Sequence, residues 1–220
     1  MRAGFMKRSS SSAKAASPAK AAWFEGAFDT FADPADGQIG PEGIEKLCAA
    51  LGVEPTDVLV LVLAWQVGAS QMGYFTREEW KSGADMLAVA TSPESLLERL
   101  SQIYTATRRN GPKLRELHIF THKFCREERK KNIDVGAAVA MLPLLHGDAF
   151  PDHIPNLCEF LQGHETAKKR GVSGDEWSMM LNFVAEVEPD CSNYQDDGAW
   201  PLLLDDYVDW YRERHGGGAQ

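Results

Sequence analysis

Between residues 23 and 215 the apolar side chains return every three to four positions, and each run is closed by a capping or turn-forming residue before it grows long. That pattern restricts the chain to short amphipathic helices packed on one another, because a half-buried strand would alternate with a period of two. The periodicity predicts helices over 23–31, 41–51, 56–68, 76–89, 92–108, 113–126, 134–145, 151–162, 173–187 and 201–215. Three starts carry their own chemistry. Thr76 with Glu79 and Ser173 with Glu176 match the capping box, in which a hydroxyl and a carboxylate satisfy each other's orphan backbone N–H groups, and Ser92 precedes Pro93, whose missing N–H costs nothing at a first helical position.

A second pattern lies over the first. One β-branched or aromatic residue stands just before a cap and its helix four times: Ile39, Phe75, Ile133 and Val172. In paired EF-hands each loop lends such a residue to a two-stranded bridge with its neighbour, and the separations of 36 residues (39 to 75) and 39 residues (133 to 172) suit two such pairs. The expected fold is therefore all-α, about ten helices in two tandem EF-hand-like halves divided near Asn110-Gly111-Pro112. Calcium is not expected. With Gly37 at the invariant sixth position, Ala32, Pro34, Asp36 and Gly43 fall at positions one, three, five and twelve, leaving one carboxylate of four, and the other three loops are no richer in oxygen ligands.

Charge narrows the partners. The 220 residues carry a net charge of −9, which disfavours nucleic acid and anionic membranes and favours a basic partner. Residues 1–22 hold five cations and no acid, so the remainder carries −14. That Ser/Ala-rich tail reads as disordered, with an organelle transit peptide or a weak nuclear signal as alternatives; residues 216–220 read as a flexible end and 23–215 as the folded domain. No secretory signal is visible, and no apolar run is long enough to span a bilayer. Cys48, Cys125, Cys158 and Cys191 show no metal or disulfide spacing and read as buried, inert thiols.

Catalytic and metal-binding constellations are not visible. His118 and His122 are four residues apart on one helix, but no Glu follows the first and no third ligand is indicated, so they read as surface or partly packed side chains. No phosphate-cradling glycine loop and no nucleophile elbow occurs. The nine cations between 108 and 131 read as a solvated face. The region 171–211 is different: it has no Lys, Arg or His and ten acids, including Asp175 and Glu176 in a first helical turn, where the helix dipole favours them. Asp205 and Asp209 are like charges at i, i+4, a cost of a few tenths of a kcal/mol that hints at docking to a basic partner.

The run SNYQDDGAWPLLLDDYVDW at 192–210, with IGPEGIEKLCAALGV, VLAWQVGASQMGYFTREEW and GVSGDEW in the same order before it, resembles the defective-in-cullin-neddylation family and its potentiating-neddylation (PONY) domain. The resemblance covers about residues 23–212. It implies a noncatalytic scaffold that promotes cullin neddylation without a cofactor, metal or catalytic residue of its own. Such a scaffold holds the cullin C-terminal winged-helix region and the N-acetylated N-terminus of the neddylation conjugating enzyme, and so acts indirectly on the ubiquitin-like modifier. By the same resemblance, Asp175, Ala199 and Asp205 are the cullin-binding residues. Ile44, Pro55, Val60, Leu63, Val67, Phe75, Phe124, Met141 and Leu144 form the acetyl-methionine pocket, for each of which plain core packing is the alternative. Val67 and Met141 stand where relatives often carry aromatic rings, and Met72 where a polar amide is common. The 22-residue tail is too short for a ubiquitin-associated domain, so polyubiquitin binding is not expected. Nucleus and cytoplasm are the expected compartments. A helical adaptor for another basic partner and a calcium sensor are the rival readings.

Overall fold

The computed structural model describes residues 18–216 and, for side chains, 23–216. Residues 1–17 of the predicted tail and 217–220 of the predicted flexible end lie outside them. Twelve helices are present among the described residues: α1 Pro18–Phe31, α2 Pro41–Leu51, α3 Val58–Val67, α4 Arg77–Ser82, α5 Ala84–Leu87, α6 Pro93–Arg108, α7 Gly111–Phe124, α8 Val135–His146, α9 Ile154–Gly163, α10 Glu165–Arg170, α11 Gly174–Glu186 and α12 Leu202–His215. The all-α class is as expected, but the count and several limits differ. α1 begins five residues before the predicted start, in the segment PAKAA, where Pro fits the first helical position and alanine is the best helix former. The predicted helix over 76–89 breaks in two at Gly83. A Cβ there would lie 2.8 Å from Val67 Cγ1, so the chain passes too close to α3 for a straight helix with a side chain at that point. α10 is six residues long, too short for periodicity to reveal, and is started by His164, whose ring accepts from the Ala167 N–H.

Two antiparallel bridges form, Ile39 with Phe75 and Ile133 with Val172, between the residues that the sequence pairs. Around them the chain repeats one construction. Thr76 and Ser173 each close a capping box with a glutamate three residues on, Glu79 and Glu176. One residue further, Trp80 and Trp177 turn their indoles into the core, and each donates its N–H at 2.7 Å to a helix carbonyl: Trp80 to Phe24 of α1, Trp177 to His118 of α7. Trp80 stacks on Phe24 at 4.7 Å, and Trp177 stacks on the His118 ring at 4.6 Å. A cap, a bridge residue and a hydrogen-bonded tryptophan thus fix where α4 leaves α1 and where α11 leaves α7.

The two segments meet where α6 and α7 join at Asn110, whose side chain caps α7 by accepting from the Lys113 N–H. α7 packs on α3, α6, α8 and α11, and is the most connected element of the middle of the chain. α8 contains Pro143, which leaves the Val139 carbonyl without its helical donor; the Cys158 thiol of α9 approaches that oxygen at 3.9 Å instead.

Candidate functional site: an apolar cavity and an acidic face

An apolar cavity of about 270 Å³ opens between α2, α3, the end of α7 and α8. Its walls are Pro41 and Ile44 from α2, Val60, Leu61 and Ala64 from α3, Phe75 from the first bridge, Phe124 and Cys125 at the end of α7, and Met141 and Leu144 from α8, with Pro55, Thr56, Met72 and Gly73 at loops beside them. It is close to the small end of ordinary ligand pockets, enough for one apolar side chain with a small cap. The charged groups lining it are Glu45 and Asp57. Asp57 is already engaged as the N-cap of α3, accepting from the Leu59 N–H at 2.7 Å. Cys125 is buried, and desolvation pushes its thiol up to about 11, so it contributes no charge near neutral pH.

Seven of the nine predicted pocket residues line this cavity: Ile44, Pro55, Val60, Phe75, Phe124, Met141 and Leu144. Leu63 and Val67 do not. Both are fully enclosed in the core, and Val67 faces Gly83 at the α4–α5 break, beyond the cavity toward the C-terminal end of α3. Leu61 and Ala64 take their place, and Cys125 is an addition that no motif marks. The signal for them was faint: α3 is apolar almost all round, with Leu61, Val62, Leu63, Ala64 and Val67 all buried, so periodicity does not tell its cavity side from its core side.

The predicted cullin-binding residues lie on a different surface, made by α11, α12 and the loop before α12. Asp175 is exposed in the first turn of α11. Its neighbour Glu176 is not available for docking. Burial alone would raise its pKa, but bonds from Arg170 and from the Ser173 backbone and hydroxyl outweigh that and hold it low. Ala199 is exposed, and the Ala199 N–H is held by Asp197 at 3.1 Å. Asp205 is partly buried in the first turn of α12 and accepts a short bond from the Tyr194 hydroxyl. Burial first, and that bond second, push the Tyr194 phenol well above its ordinary value. Asp205 therefore has a structural return that the like-charge argument missed: it pins the loop before α12. Trp200 pins the same loop at its other end, edge-on to Phe183 of α11 at 5.3 Å.

The histidine pair is corrected. His118 and His122 are buried, and their Nε2 atoms are engaged by different carbonyls, Trp177 O at 2.7 Å and Val172 O at 3.1 Å. Both nitrogens must carry hydrogen to do so. His118 Nδ1 is then an acceptor, and His146 Nε2 donates to it at 2.9 Å. The three rings are spent on structure.

A family profile described as cullin binding matches residues 95–210, more than half of the chain. DCN1-like protein 5 of Homo sapiens is 35% identical over 187 residues, covering 85% of this chain and 76% of that protein. The chain belongs to the DCN1-like, defective-in-cullin-neddylation family. DCN1-like protein 4 of Danio rerio and of Homo sapiens are 38% and 37% identical over 179 residues, 81% of this chain. The chain spans 62% and 59% of those two relatives, less than two thirds of their length. The cullin-binding profile takes in Asp175, Ala199 and Asp205 together with the α7 and α8 walls of the cavity, and it starts beyond the α2 and α3 walls.

Proposed function

We propose that the chain promotes cullin neddylation as a scaffold, docking a cullin C-terminal winged-helix region on the α11–α12 face and the N-acetylated N-terminus of the neddylation conjugating enzyme in the cavity. The observation that carries the reading is the cavity itself: its lining is mainly apolar, its size suits one methionine side chain with an acetyl cap, and seven of the residues that the family resemblance points to surround it. A scaffold of this kind gains rate by proximity and orientation and needs no acid, base or nucleophile of its own. The modifier passes between the two bound partners, and the scaffold touches it only indirectly. On this reading the protein works in nucleus and cytoplasm.

The chemistry of the N-terminus gives the test. A free α-ammonium entering among these mainly apolar walls would lose most of its hydration, a cost of several kcal/mol, while Asp57 is already engaged as the α3 N-cap; an acetamide is uncharged. A peptide from the conjugating enzyme's N-terminus titrated into the protein is expected to bind at least tenfold more tightly when N-acetylated than when free. Equal affinities would rule out the pocket assignment.

A further inference from the structure

Leu202 is 72% exposed, the most exposed large hydrophobic side chain among the described residues. Nothing in the fold requires it. It is the first residue of α12 and the first of three consecutive leucines; Leu203 and Leu204 are buried with Tyr207 and Val208, and a helix that turns 100° per residue has no room to bury the third. A lone exposed leucine is ordinary, but this one is not alone. It follows exposed Ala199, half-buried Trp200 and Pro201, and it shares a helix face with Asp205, Asp206 and Asp209 at i+3, i+4 and i+7.

We propose that Leu202 is the apolar anchor of the docking face on α12, and that the basic partner surface meeting Asp175 and Asp205 carries an apolar recess that receives it. The inference rests on the cullin-docking reading above and adds the residue that holds the complex together once charge has brought the surfaces into contact. Charge decides among occupants. A second copy would set the Asp205–Asp206–Asp209 stripe against its own kind, and an anionic membrane would be repelled by it, so the recess belongs to a cationic protein surface. On such a surface the carboxylates set the rate and salt dependence of encounter, while an apolar side chain seated in a desolvated pocket sets the rate of departure.

The test is binding of a cullin C-terminal fragment to the full chain at low and high salt. Leu202→Ala is expected to weaken binding tenfold or more, mainly through faster dissociation, with the salt dependence and thermal midpoint of the parent; Leu202→Met is expected to stay within about threefold of the parent. Leu202→Ala binding within twofold of the parent, while Asp205→Lys abolishes binding, would overturn the anchor and leave the docking reading standing. A parent chain that does not bind the cullin fragment, or Asp175→Lys and Asp205→Lys variants that bind it as tightly as the parent, would overturn both. A fall in the thermal midpoint of Leu202→Ala, or a parent dimer that Leu202→Ala dissolves, would assign the leucine to folding or self-association and also overturn the anchor.

Discussion

The Tyr194 phenol donates to Asp205 from eleven residues upstream, and this bond fixes the orientation of its carboxylate. Removing the hydroxyl keeps the charge and releases the carboxylate from its orientation. Tyr194→Phe is expected to lose about 1 kcal/mol of stability, the usual net worth of one hydrogen bond, and to weaken cullin binding severalfold without changing its salt dependence. Calorimetric binding beside a thermal melt checks it, and parent-like values in both would refute the orienting role. The sequence made Asp205 conspicuous through its charge and through the family signature, yet its phenol partner was invisible, because a contact across a loop leaves no periodic trace. The same limit explains Leu63 and Val67. Their residue types suit a pocket, but only the approach of Gly83 to α3 shows which way Val67 points.

Elements were most legible where chemistry marks their ends. The capping boxes at Thr76 and Ser173 and both bridge pairs follow from the sequence because a cap and a β-branched or aromatic neighbour are local statements. α10 and the α4–α5 break escaped because a six-residue helix has too few turns to show a period, and a break caused by crowding depends on what lies opposite. The second bridge depends on Gly171, which sits at φ +75°, with Ile133 O only 2.2 Å from where a Cβ would be. Gly171→Ala must therefore both strain the backbone and displace the bridge carbonyl. A loss of about 3 kcal/mol or more is expected, read as a thermal midpoint lowered by several degrees. A midpoint within a degree of the parent would show that the bridge does not hold α11 in place.

At the scale of the molecule, the region from α7 onward is built around four buried histidines. Burial lowers all four: His118 to about 3, with His146 as a second cause, His146 to about 4, and His122 and His153 in the same direction. Their unfolded value is near 6.5, so the unfolded chain binds protons that the folded chain refuses. Stability from this source is complete above about pH 6.5 and falls as pH drops toward 4, by roughly 1.4 kcal/mol per pH unit for each ring still neutral in the fold. Glu176, held low by Arg170, adds its loss only below about pH 4.5, and the buried thiols and phenols titrate above neutrality. The interval between pH 6.5 and 5 thus isolates the histidines. The urea midpoint is expected to fall steeply across it, and a flat profile there would contradict the neutral, buried rings.

α7 supplies Phe124 and Cys125 to the cavity, and through the reciprocal bonds of His118 with Trp177 it also clamps α11, whose first turn presents Asp175. On the scaffold reading, one rod therefore carries both proposed sites, like two sights on a single barrel. A lesion in the seam, such as loss of the Trp177 indole, need not weaken either partner's grip to spoil the pairing: it would change the aim. For such a device titrations of each ligand alone could look intact while transfer between the two failed, and the quantity worth measuring is the angle at which the cargo arrives.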